Sequence, residues 1–465
     1  MSAPLLWMVI PGLIAIGLIF LRKNESLTAI VGGAVCVLAA VLALTLSIDT
    51  PVIAGPFQFT LPGELPVFGR RFLLAGADLQ VIALIYSIGA FWFFSSLPLK
   101  KKATFVPLGM GILAILVGVL SVEPFLYASL LIEAAVLGCL ALTSTRGKPA
   151  GEGQMRFLIF QTLAVPLTLL AGWFLSSGEI TPINDTQLLQ SSLLLGLGFA
   201  FWLAVFPLNT WVEMMAEEVS PLISGFIFSV LPLSVMLFLL DFLNNYAWLR
   251  NYPIIFPAIR WLGAIMVLVG GLWAFFQTKI KRLYGFTVIF TTGISLLTIS
   301  LRSEIGMDLF AYSLLPRLAS IALLSICLTI LDNTQAGTGL QDLRGLIYQS
   351  PFAGLGFVVG IFSAAGMPLL AGFPIIQPLL AELNVFSSLI VAAVAAGSAL
   401  LFFSGYKLLV LFFTKTDVNL EHNETMVERI LVGGLIALIF FVGVFPSLFL
   451  SPFLSIVTKF PSLLQ

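Results

Sequence analysis

Ala365-Gly366-Met367-Pro368-Leu369-Leu370-Ala371-Gly372-Phe373-Pro374 lies inside a long apolar block, residues 352–385, and interrupts it with two glycines and two prolines. A second stretch, Phe206-Pro207-Leu208-Asn209-Thr210-Trp211, breaks another block about 160 residues earlier. Proline removes a backbone donor and clashes with the preceding turn, freeing carbonyls that lipid cannot satisfy. Such breaks are tolerated where protein or water surrounds them. Discontinuous helices at corresponding places in two halves point to the transport path of an inverted-repeat membrane protein. Ordinary kinks are the competing reading of the same residues.

The surroundings of these breaks are membrane-like. Of the 465 residues 59% are hydrophobic and only 9% charged, where a soluble domain carries about 25%. A hydrocarbon core about 30 Å thick needs about 20 apolar residues in a helix. Blocks of that order fall at 4–21, 27–47, 72–98, 103–120, 122–145, 157–176, 193–207, 219–243, 254–276, 283–301, 306–332, 352–385, 386–413 and 428–454. The expected fold is all-α and integral to the membrane, with about 14 transmembrane helices in one membrane domain, 1–465. Its parts are N-terminal helices 1–3 (1–98), a first repeat (103–243), a second repeat (254–413) and a C-terminal helix (428–454). The breaks fall in the seventh and twelfth segments, which fits two inverted five-helix repeats, helices 4–8 and 9–13.

Basic residues orient this count. One set of alternate loops holds Arg22, Lys23, Lys100, Lys101, Lys102, Arg146, Lys148, Arg156, Lys279, Lys281, Arg282, Arg344, Lys415 and Arg429; the other holds only Arg70, Arg71, Arg250, Arg302 and Lys459. Lysine and arginine accumulate in cytoplasmic loops, so both termini are expected on the outer side of a bacterial cytoplasmic membrane or an equivalent energy-transducing one. Arg22 and Lys23 follow the first apolar run rather than precede it, which favours a first membrane helix over a cleaved signal peptide.

Several function classes drop out. Twenty-two basic and 22 acidic residues cancel, so net charge gives no argument for nucleic acid. Cys36, Cys139 and Cys327 sit in apolar blocks at wide spacing, without disulfide or metal-site pattern. The single histidine, His422, lies in a polar stretch and reads as a solvated loop residue. No G-x-G-x-x-G follows a strand, and no nucleophile and base stand at recognisable motif spacing. Neither a metal, a redox cofactor nor a catalytic residue is expected in this chain.

Several motifs, in order, resemble the antiporter-like membrane subunits of respiratory complex I and the Mrp sodium/proton antiporters. Glu123-Pro124 through Glu133 is similar to that family's fifth helix. Pro207-Leu208-Asn209-Thr210-Trp211 with Val219-Ser220-Pro221 resembles the broken seventh helix and the start of the eighth. Lys281-Arg282 resembles the opening of the tenth, and Leu343-Arg344-Gly345-Leu346 with Ser363 through Phe373 the approach to the broken twelfth. The resemblance implies a subunit of a complex I-type, NADH:quinone oxidoreductase-like assembly, with other membrane subunits and the lipid bilayer as partners and protons or sodium as cargo. It also implies intramembrane lysines that this chain lacks. Trp202 stands at the seventh-helix lysine, Ser234 (or Leu233) at the eighth and Ile376 near the twelfth, while Ser313 and Arg317 replace the histidine and lysine of the eleventh.

The remaining intramembrane charges are therefore the proton-path candidates. Glu133 sits near mid-span, where burying a charge costs about 2.5–3.5 kcal/mol on insertion scales; it reads either as a proton carrier or as a carboxyl hydrogen-bonded to a neighbouring helix. Arg317 cannot shed its charge as lysine can, and suits bracing a broken helix or fixing a potential. Arg260 and Lys407 lie near segment ends and are expected to snorkel to an interface. Glu213, Glu217 and Glu218 read as a solvated loop or as a cation-gathering mouth, and Asp78 as an N-terminal helix charge. The expected function is a divergent antiporter-like subunit whose own translocation is impaired or altered. A stand-alone ion-coupled transporter of the same repeat is the alternative.

Overall fold

In the computed structural model the described residues are 2–54, 57–67, 69–99, 103–144, 147, 149–176, 185–333, 339–414 and 424–464. Lys100, Lys101, Lys102, Arg146, Lys148, Lys415 and His422 lie outside them. The helices run α1 Leu5–Leu21, α2 Glu25–Thr45, α3 Leu79–Ser95, α4 Phe105–Val119, α5 Ala128–Thr143, α6 Glu152–Ser176, α7 Asp185–Trp202, α8 Thr210–Glu218 and α9 Pro221–Asn245. They continue as α10 Ile255–Phe276, α11 Ile280–Ser300, α12 Glu304–Asn333, α13 Pro351–Ala365, α14 Phe373–Asn384, α15 Ser388–Phe413 and α16 Met426–Val444. Among the described residues ten helices are long and apolar enough to cross a membrane, so the protein is an integral, multi-pass membrane protein.

Local chemistry sets the helix ends. Asn24 caps α2 by accepting the Leu27 N–H at 3.2 Å. Thr425 and Glu428 form a reciprocal capping box on α16, Thr425 N–H donating to the Glu428 carboxylate at 2.8 Å. α16 stops at Val444 because Pro446 follows, so the expected 428–454 span is shorter and continues as separate turns. At the other extreme, α6 begins at Glu152 and α7 at Asp185, earlier than hydropathy placed them. Their first turns carry acidic residues, glutamine and threonine, which an apolar window rejects and a helix accepts.

Residues ahead of α3 are not simple loop. Strands β1 Pro51–Ala54 and β2 Phe57–Thr60 form an antiparallel hairpin, and β3 Glu64–Val67 pairs with β4 Arg70–Leu73, which also takes β5 Val122–Glu123. The third helix therefore starts at Leu79, seven residues later than the apolar run at 72 suggested. Asp78 closes the preceding turn by accepting the Ala75 N–H at 2.8 Å.

The chain gathers into two compact units. The first comprises Met1–Ala150, Leu158–Trp202 and Val230–Arg250; the second Gly151–Phe157, Leu203–Ser229 and Asn251–Gln465. In the first, the Trp7 indole donates to the Ala39 carbonyl at 3.1 Å and the Tyr86 hydroxyl donates to the Trp7 carbonyl, tying α1, α2 and α3. In the second, α10 meets α15 backbone to backbone: a Cβ on Gly271 would stand 2.1 Å from the Gly397 carbonyl oxygen. Helices in lipid associate by such close approach of small residues.

Helices α11 and α12 are almost wholly buried yet carry many hydroxyls. The serine and threonine hydroxyls of α11 are satisfied within the helix. Thr287, Thr292 and Ser295 donate to the carbonyls four residues back, at 3.0, 2.9 and 3.2 Å. Their protons are thus spent locally while lone pairs stay available to neighbours.

Candidate functional site

Helix hydrogen bonding stops at Trp202 and resumes at Thr210, with Pro207 between and Ala204 at a left-handed φ of 55°. The second interruption is closed more tightly. Gly366, at φ 81°, ends α13; its N–H and that of Met367 donate to the Ser363 and Phe362 carbonyls at 3.1 and 3.0 Å, the double closure that glycine at this position permits. Pro368 and Leu369 follow, Leu369 itself at φ 70°. Gly372 then opens α14 so close to α13 that a Cβ on it would lie 1.9 Å from the Ser363 carbonyl oxygen.

In the first unit Glu133 projects from α5 to α6. One carboxylate oxygen accepts the Thr162 hydroxyl at 2.7 Å; the other is buried with no hydrogen-bond partner among the described residues. Beside Thr162, Gln161 turns its amide onto the Trp202 carbonyl at 3.3 Å, the last of α7. The Gln161-Thr162 pair inside an apolar block was the readable signal for this polar spot, since a polar pair in a span usually has partners. Trp202 itself is wholly buried, its ring 5.5 Å from that of Phe199 and 6.1 Å from that of Phe238. Ser234, on α9, is buried and donates to the Val230 carbonyl of its own helix at 3.0 Å.

In the second unit Arg317 is buried on α12, directly after Pro316, and donates from Nη2 to the Thr292 hydroxyl at 3.3 Å. It borders a cavity of about 30 Å³ shared with Ser295, Ser313, Ser320, Ser363 and Gly372, and with Ile376 of α14. That space is large enough to hold a water beside the guanidinium. The Ser320 hydroxyl donates to Ser363 at 3.0 Å, linking α12 to α13 three residues before the break. Arg317 thus stands at the second interruption, and Ile376 is its neighbour. Lys407 is elsewhere: it lines a separate pocket with Lys279 and Arg344.

The acids after the first break are not a solvated loop. Glu217 pairs with both Lys279 and Arg282, and Glu218 accepts the Gly153 N–H at 2.9 Å. Glu213 is buried where the α11 backbone presses on it at Gly285. Lys281 binds Asp332 at 2.7 Å. These pairs pin α8 and α12 to the start of α11. Glu217 and its partners are partly exposed, so a double-mutant cycle of Glu217→Gln and Arg282→Gln is expected to give a coupling of about 1 kcal/mol in unfolding measurements. Arg260, expected to snorkel, is instead buried: it donates to the terminal Ser300 carbonyl of α11 at 2.8 Å and stacks 3.4 Å from the Phe386 ring centre. An unsatisfied helix-end carbonyl attracts such a cation. Among the described residues no group of three or more histidine, cysteine or acidic side chains is placed to hold a metal.

Residues 178–404, which include both interruptions, match the family described as NADH:quinone oxidoreductase/Mrp antiporter, TM. That match covers just under half of the chain. NADH-quinone oxidoreductase subunit N of Anaeromyxobacter sp. (strain Fw109-5) is 22% identical to it over 402 residues, 78% of this chain and 75% of that one. The fold matches a chain of the membrane-bound sulfane sulfur reductase, an archaeal respiratory membrane complex, with a TM-score of 0.83 at 17% identity, over 100% and 98% of the two chains. A chain of respiratory complex I from Thermus thermophilus matches at a TM-score of 0.76 and 19% identity, over 100% and 99%. Both matching chains come from multisubunit membrane complexes. The chain thus shares their fold over its whole length.

Proposed function

We propose that this chain is an antiporter-type membrane subunit of a redox-driven complex related to NADH:quinone oxidoreductase, and that it braces and couples neighbouring subunits while its own proton path is largely filled. If each broken pair, α7 with α8 and α13 with α14, is one interrupted segment, the described helices make fourteen spans. That even count supports two repeats, 103–243 and 254–413, with both termini on one face, and the bias of basic residues between alternate loops favours the outer side for it. No redox centre is assigned to this chain; electrons would move elsewhere in the assembly.

The observation that carries the reading is Trp202. Where the resemblance places a lysine next to the fifth-helix glutamate, an indole packs among Phe199 and Phe238, and Glu133 is held by a threonine hydroxyl instead. A carboxyl without a cation whose charge it can exchange with has lost the partner that drives proton uptake and release. Arg317 keeps a positive charge at the second break, but its proton stays bound through any cycle at physiological pH. A fixed charge there biases the field and holds α12 to α11 through Thr292.

Glu133→Gln in the purified complex tests this. The expected result is an unchanged proton-to-electron stoichiometry; a fall by one pumped proton equivalent would overturn the bracing role. Gentle solubilisation is expected to bring down further membrane subunits. A monomeric chain that takes up ions when reconstituted alone would replace this reading with a stand-alone transporter.

A further inference from the structure

Helix α8 is nine residues long, lies between the seventh and eighth apolar blocks, 193–207 and 219–243, and is not one of the ten spanning helices. It is gripped between the first turns of α6 and α11. On one side a Cβ on Gly153 would stand 2.6 Å from the Met214 carbonyl carbon; on the other a Cβ on Gly285 would stand 2.6 Å from the Glu213 Cα. Phe157 and Trp211 close the α6 side, with ring centres 5.0 Å apart. Glycine lets the backbones meet on both flanks, so little water reaches what lies between them.

Glu213 lies between them. It is only 9% exposed, and its Oε2 is buried with no hydrogen-bond partner among the described residues. The charged groups around it are engaged elsewhere or face solvent. At the start of α11, Lys279 and Arg282 bind Glu217, and Lys281 binds Asp332; Tyr284, next along, is wholly buried. On α6, Glu152 and Arg156 are exposed. On α8 itself, Glu217 is taken by its two cations and Glu218 accepts the Gly153 N–H. Burial pushes the Glu213 carboxyl up to about 7, against smaller opposing pulls from its own backbone N–H and from Arg282 and Arg156. An ordinary glutamate stays ionised near neutral pH; this one changes charge there.

We propose that Glu213 is a proton-operated latch on α8: protonated, it seats α8 in the dry seam between α6 and α11; ionised, it drives the seam open to water. The closed carboxyl holds its proton more tightly than an opened one, whose ordinary value is 4.5. The latch is therefore fully closed below that value and is released as the pH rises through about 7. Glu217 and Glu218 fasten the C-terminal end of α8 in both states, so the opening is local. α8 is the second half of the first interruption, and its opening wets that end of the break whether or not the chain pumps.

Hydrogen exchange of the α8 amides, measured in the full complex and corrected for the intrinsic effect of pH on exchange, reads the opening. Between about pH 6 and about pH 8 wild-type protection is expected to fall about tenfold, the change that a carboxyl raised from 4.5 to about 7 produces over that range. Glu213→Gln fills the same space without a charge and is expected to keep the protection of the lower pH at both values. Glu213→Met, apolar and of similar length, is expected to do the same, so a folding defect in one variant leaves the other to decide. Glu217→Gln removes a clasp and not the sensor; it is expected to lower protection at both values and to retain the tenfold pH dependence. Wild-type protection that does not change with pH, or a fall of equal size in the Glu213 variants, would overturn the proposal.

Discussion

Gly372→Ala is expected to cost about 3 kcal/mol or more of stability and to lower recovery of folded protein from membranes severely. The added methyl would sit 1.9 Å from the Ser363 carbonyl oxygen, and the obstacle is backbone, which has no rotamer to yield. Overpacking a core costs about 1–3 kcal/mol when side chains can shift; here α13 and α14 must separate. Gly372 and Ser363 both line the Arg317 cavity, and Ser363 accepts a hydrogen bond from Ser320. Separation would therefore unseat α12 as well. Gly434→Ala is the control. It lies on the exposed side of α16 with nothing within 4 Å of a built Cβ, so helix propensity favours alanine there by up to about 1 kcal/mol. Thermal unfolding of both variants in detergent checks the contrast; equal midpoints would mean that the interruption is not as tightly closed as described.

How much of this was legible depends on the range of the interaction. The apolar blocks and both interruptions follow from local residues, because span length is set by bilayer thickness and proline and glycine act on their own turns. The hairpins between α2 and α3 were not legible: four-residue strands around Pro51 and Glu64 gain their identity only from partners across the turn. The same holds for charge. Glu217 meets Lys279 and Arg282 across 62 and 65 residues, and Arg260 finds Ser300 and Phe386 on other elements, so reading the loop or the helix end alone gave solvation and snorkelling instead. At the candidate site, Phe199 beside Trp202 is one helical turn away and visible in the sequence, whereas Phe238 is brought there by the fold. As a charge within a span Lys407 reads as a path candidate; only the fold places it in one pocket with Lys279 and Arg344.

Restoring a lysine at the seventh segment is the second strong test. Trp202→Lys is expected to destabilise the protein by about 3–5 kcal/mol through lost indole packing alone, as for other large buried aromatics. The new ammonium would lie among Phe199 and Phe238, where burial of an ion costs several kcal/mol and cation–π attraction returns about 0.5–2. Glu133 is not waiting with both oxygens free, since Thr162 already donates to one of them. A lysine placed here therefore enters a packed aromatic wall rather than a wet conduit. Trp202→Phe preserves most of that wall and is expected to cost less than about 1.5 kcal/mol. Unfolding in detergent, followed by proton-to-electron stoichiometry of the reconstituted complex, separates the outcomes. Loss of stability with no gain in pumping fits a path closed by packing. A stable Trp202→Lys protein that pumps more protons than wild type would mean that the conduit is intact and only its carrier is missing, and the bracing role would fall with it.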